Sequence, residues 1–205
     1  MNPRFLVKGL IIGISIAAPV GPIGVLCIRR SLRDGLLSGF MAGLGAATAD
    51  AAYGCVAAFG LTAVSSVLVG HRFWLGLIGG VFLCGLGAHT FAGKPPSESA
   101  PEGGGRHLAA YGSTFLLTLA NPATILSFAA VFAAIGIGAS AGYLAAGSMV
   151  LGVFLGSAAW WLVLSGGVSA LRARLSADWM RTINHVSGAT LLAFGLYALW
   201  IAWAA

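Results

Sequence analysis

From residue 108 to residue 171 the chain carries no charged side chain. Soluble domains are about one quarter charged, so a stretch of this length has no place on an aqueous surface. It belongs in lipid, where backbone N–H and C=O groups must find partners within the protein. A membrane helix needs about 20 residues, so the stretch is too long for one crossing and must turn back. The rest of the chain has the same character: of its 205 residues, 59% are hydrophobic and only 8% are charged.

The apolar runs predict six transmembrane helices. The first covers 9–28. The run 35–70 is interrupted only by Asp50 and gives a span near 36–60 plus an apolar loop. The third covers 73–93. A Pro-, Gly- and Ser-rich stretch with charges, 94–106, reads as a solvated loop. Beyond it, the Gly-rich 136–142 is the natural turn between spans near 109–135 and 143–168. The basic segment 172–181 reads as an interfacial helix carrying Trp179. A last span near 184–203 has Trp200 and Trp203 as interface anchors.

Three spans on each side of the loop force the two halves into opposite orientations, as in many secondary transporters. The expected fold is therefore an all-α membrane protein built of two inverted three-helix repeats. Residues 1–93 form the first, 94–107 a cytoplasmic linker and 108–205 the second.

The formal net charge of +6 comes from basic residues between apolar runs. Such charges set orientation in the bilayer; they do not make a nucleic-acid surface, which needs a basic patch with readout groups. Arg29, Arg30, Arg33, Lys94, Arg106, Arg172, Arg174 and Arg181 fall on one side, and Arg4, Lys8 and Arg72 on the other. The 1–2, 3–4 and 5–6 loops are therefore expected to be cytoplasmic. Arg4 and Lys8 before an apolar run resemble a signal peptide. The run continues through Pro19 and Pro22, however, and Ala17-Ala18-Pro19 is a poor cleavage context, so it reads as a retained span. Cys27, Cys55 and Cys84 lie in separate runs without metal spacing and read as small packing residues.

Two features carry chemistry. The prolines inside spans occur only in the first span of each half, at Pro19-Val20-Gly21-Pro22 and Asn121-Pro122-Ala123-Thr124. Proline removes a donor and clashes with the preceding turn, so each site should break its helix. Asn121 suits an N-cap and Pro122 the first helical position; Gly21-Pro22 is a weaker form of the same pattern. Each break would leave a helix N-terminus within the membrane, a place suited to a carboxylate.

The second feature is Asp50. The other four acids lie in loops. A charge at mid-membrane costs about 2.5–3.5 kcal/mol on insertion scales, and acids found there usually serve transport. Gly39, Gly43, Ala46, Ala47 and Gly54 share its helix face, and Gly35, Gly39 and Gly43 repeat at the spacing of close helix packing. Trp160 and Trp161 sit near the middle of span 5, where either core packing or a cavity wall accounts for them; Gly43 and Ala46 are further cavity candidates. Ser15, Thr48, Thr118, Ser127, Ser157 and Ser165 could line a cavity, although most such hydroxyls bond their own backbone. The chain has no P-loop, GxSxG or HExxH sequence, and no enzyme, cofactor or metal site is expected.

In order and spacing, these motifs resemble the lysine exporter (LysE/RhtB) family of bacterial amino-acid exporters. They are Pro-Val-Gly-Pro in span 1, Asp50-Ala-Ala-Tyr53 in a Gly-rich span 2, Asn121-Pro122-Ala123-Thr124 in span 4, and 180–188 followed by Leu191-Leu-Ala-Phe-Gly195 at the close. The resemblance implies a bacterial inner-membrane exporter of basic or neutral amino acids, driven by the proton motive force and dimeric. Its site residues would be Pro19, Gly21, Pro22, Asn121, Pro122 and Thr124 at the breaks. Asp50, with Tyr53, would take the substrate ammonium, the coupling proton, or each in turn. The alternatives are a metal-cation exporter, and a membrane scaffold in which Asp50 is structural.

Overall fold

The computed structural model of the chain describes residues 3–19, 21–58, 71–92, 104–121, 124, 128, 143–172 and 177–204. Among these residues the secondary structure is all helical, in seven helices: α1 (Pro3–Ala17), α2 (Pro22–Asp34), α3 (Leu36–Ala58), α4 (Arg72–Ala92), α5 (Gly104–Leu119), α6 (Tyr143–Arg172) and α7 (Ala177–Ala204).

Two helices are by themselves long and apolar enough to cross a membrane, over Tyr143–Leu171 in α6 and Arg181–Trp203 in α7. α1 and α2 qualify together as one broken span bent by 81°. Gly76–Ala92 in α4 is a shorter apolar helix. α3 is long enough, but its Gly, Ala and Thr residues and Asp50 dilute its hydropathy. Membrane character shows most clearly in what faces outward. On α6, Leu144, Leu151, Leu155, Leu162 and Val163 are exposed, whereas Ser148, Gly152, Ser157 and Ser165 are buried. Large apolar groups outside and small or polar ones inside suit a helix surrounded by lipid.

The pairing of helices follows from where glycine allows backbones to meet. α1 lies parallel to α6. A Cβ at Gly9 or Gly13 would fall on the carbonyl of Met149 or Val153, and one at Gly152 or Gly156 on that of Leu6 or Leu10. α3 and α5 meet in the same way: Gly45 faces the carbonyl of Tyr111 and the N–H of Phe115, as Gly152 faces Leu6 and Leu10. These are one contact made twice, each time between a helix before the linker and one after it. The α4–α7 interface is antiparallel and reads alike from either side. Gly80 faces Gly195 and Leu199, and Gly195 faces Gly80 and Cys84. α3 and α6 cross antiparallel at the centre, with Gly43 under Trp161 and Asp50 against Ser157.

Three boundaries differ from the sequence expectation. The first span breaks at its prolines as expected, but the second of its helices continues past Ile28 through its arginines to Asp34. The loop expected over 94–107 gives way to helix at Gly104, and Arg106 reaches back to Asp34 at 2.5 Å. In place of an interfacial helix over 172–181, α6 runs to Arg172 and α7 begins at Ala177, with Trp179 in its first turn. Between α2 and α3 the chain turns at Gly35, whose φ of 88° and ψ of 177° favour glycine. The expected turn at 136–142 lies outside the described residues.

Candidate functional site

α1 stops at Ala17 because the helix cannot close further. The carbonyls of Ser15 and Ala18 would need N–H groups from positions 19 and 22, and both are proline. Gly21 then caps α2 in an extended conformation, φ −104° and ψ −165°, with no side-chain cap, and Pro22 is the first helical residue. The first N–H to bond back is that of Val25, to Gly21 O at 3.1 Å. The N–H groups of Ile23 and Gly24 come before it and have no carbonyl in α2 to reach.

α5 ends in a comparable way. The α-helical partner of Thr118 C=O would be position 122, a proline, and the N–H of Asn121 bonds to that carbonyl instead, at 3.2 Å. The Leu119 carbonyl accepts the Tyr53 hydroxyl at 2.5 Å. The N–H of Thr124 returns to Asn121 O at 3.1 Å. Pro122 lies outside the described residues.

Both breaks line a single cavity of about 390 Å³, within the range of small-ligand sites. Pro19, Gly21, Pro22, Ile23 and Gly24 border it from the first break, and Ala120, Asn121 and Thr124 from the second. Asp50 and Ala46 border it from α3, Trp161 from α6, and residues of α4 and α7 close the wall. Asp50 is 3% exposed, and its Oδ2 accepts the Ser157 hydroxyl at 2.7 Å. Ser157 in turn accepts the Trp161 indole N–H at 3.1 Å. One buried chain of donors thus holds the carboxylate in place from across the helix crossing.

Of the remaining sequence candidates, Gly43 and Trp160 do not border the cavity. The Trp161 side chain covers Gly43, and Trp160 packs partly buried against the central apolar cluster. Tyr53 stacks on Phe128 at 5.5 Å, one layer away from the cavity, and acts on the second break through Leu119.

Sequence reasoning missed two groups. Ser157 passed as one hydroxyl among many. The signal was present, since Asp50-Ala-Ala-Tyr53 and Ser157-Ala-Ala-Trp160 are the same pattern in corresponding spans, with Gly45 and Gly152 equally placed before them. Arg30 passed as an orientation charge. Its guanidinium donates to Ala110 O at 2.8 Å, Thr114 Oγ1 at 2.7 Å and Ser113 Oγ at 2.8 Å. These residues lie on α5 between its linker end and the cavity, so Arg30 closes α2 against α5 on the linker side.

The chain matches the family model described as LysE type translocator over residues 14–201. It is 27% identical to the Bacillus subtilis (strain 168) protein named "Putative amino acid efflux protein YcgF" over 193 residues, which cover 92% of this chain and 91% of that one. No solved structure matches it.

Proposed function

The chain belongs to the LysE type translocator family, and we propose that it exports an amino acid across the bacterial inner membrane in exchange for protons. The observation that carries this reading is the shared cavity: one buried carboxylate and two helix breaks border the same space. The N–H groups of Ile23 and Gly24 receive the α-carboxylate, helped by the positive end of the α2 dipole. Asp50 pairs with the ammonium and, once the substrate has left, takes the returning proton. Tyr53 fixes the second break through Leu119, and Asn121, Pro122 and Thr124 shape it. The name of the Bacillus subtilis relative supports an amino acid as cargo.

The architecture proposed is six spans in two inverted repeats, 1–93 and 108–205, joined by a cytoplasmic linker. The helix directions support it, since α1 parallel to α6, α3 parallel to α5, and both α3–α6 and α4–α7 antiparallel are what a six-fold crossing requires. So does the like contact that Gly45 and Gly152 each make with a helix of the other half. Rocking of one half on the other would open the cavity to alternate sides, and Arg30 would hold the linker side shut. Membrane potential adds about 2.3 kcal/mol per charge per 100 mV to the drive.

A metal-cation exporter would need several ligands around Asp50. Among the described residues no three His, Cys, Asp or Glu side chains come together. The experiment is reconstitution of the full chain in proteoliposomes. An imposed pH gradient should drive radiolabelled amino acid against its own gradient, with opposite proton movement read by a pH dye. Amino-acid flux indifferent to the gradient would refute exchange. Cation flux in place of amino-acid flux would refute the cargo.

A further inference from the structure

We propose that the cavity selects neutral amino acids with apolar side chains and rejects lysine-like and acidic ones; this specificity rests on the export reading above. Among the described lining residues Asp50 is the only charged one. One carboxylate pairs with one ammonium, and the α-ammonium of any amino acid uses it.

The side chain of the substrate must then lie against the rest of the wall. Leu117 on α5, Leu83 on α4, and Phe194, Ala198 and Ile201 on α7 make that wall. It offers no countercharge for a second cation. The polar side chains that also line the cavity, Thr118, Asn121 and Thr124, are neutral and carry no charge to set against a second cation. Tyr197 adds a phenol, on a side chain that is 55% exposed.

A lysine ε-ammonium would therefore enter a mostly apolar wall without a countercharge, in a medium where unpaired charge is expensive. A glutamate side chain would meet the same wall and add repulsion from Asp50. An aliphatic or aromatic side chain would displace water from apolar surface instead. At about 390 Å³ the cavity also has room for one.

The test is a flux panel on the wild-type chain in proteoliposomes, with labelled leucine, lysine and glutamate at equal concentration. Leucine should move on the order of 100-fold faster than lysine, following the cost of an unpaired charge in a membrane interior. Glutamate should be slower still. Lysine moving as fast as leucine would overturn the specificity and leave amino-acid export standing. No flux of any of the three, with protein that elutes as a single folded species, would overturn export itself and the specificity with it. A second readout uses Leu83→Asp, which places a second carboxylate in the wall. Lysine flux should rise relative to leucine, and an unchanged ratio in folded protein would contradict the placement of the side chain. If this variant does not fold, the wild-type panel decides alone.

Discussion

Asp50 and Ser157 meet at 2.7 Å where α3 crosses α6, and each stands at the same place in its own half of the chain. The bond is therefore a tie between the two halves at the depth of the cavity. Ser157→Ala would leave the carboxylate without its α6 donor. A hydrogen bond to a charged group is worth about 1.5–3 kcal/mol. Transport should fall about tenfold or more, at 1.4 kcal/mol per tenfold, and Ser157→Thr should recover much of it. Initial rates of efflux from loaded vesicles measure both.

Arg30 makes three hydrogen bonds to α5 from α2. Arg30→Gln cannot reproduce this fork, and the linker side should open more readily. A cysteine placed at Gly112, where a side chain meets nothing within 4 Å, should react with a membrane-impermeant thiol reagent several-fold faster in the Arg30→Gln background. Equal rates would mean that Arg30 does not hold that side shut.

Glycines at backbone contacts should be intolerant of substitution. A Cβ at Gly13 or Gly45 meets a carbonyl of the facing helix, while Gly85 and Gly112 have nothing within 4 Å. Gly13→Leu and Gly45→Leu should cost about 1–3 kcal/mol or more, as overpacking does. Gly85→Ala and Gly112→Ala should be nearly silent. Thermal unfolding in detergent separates the two groups.

Tyr53 supports the second break through Leu119 O. Tyr53→Phe keeps the ring on Phe128 and removes one hydrogen bond, a net loss of about 0.5–1.5 kcal/mol. It should weaken transport by a few-fold while the protein still folds, which the same efflux assay and a melting curve report together.

Much of this was legible before any coordinates. A mid-membrane acid is expensive, so Asp50 stands out in a chain this poor in charge. Paired in-span prolines follow from backbone chemistry alone, and both breaks border the cavity that Asp50 borders. Ser157 was not legible as a partner, because a lone serine in a membrane helix usually satisfies itself on its own backbone. Only the repeat of Asp50-Ala-Ala-Tyr53 as Ser157-Ala-Ala-Trp160 could have singled it out. Arg30 escaped for a different reason. Loop arginines set orientation whatever they touch, and nothing in the sequence places α5 beneath α2. Gly43 was a plausible cavity face by spacing, but spacing does not say that the neighbouring helix lays a tryptophan over it.

The central claim is that Asp50 couples substrate to proton. Asp50→Asn keeps the size and the Ser157 neighbour but removes the charge, so the protein should fold. In proteoliposomes carrying this variant, an imposed pH gradient should no longer drive leucine uphill and the pH dye should record no proton exchange. Uphill leucine transport by Asp50→Asn at the wild-type rate would contradict the account.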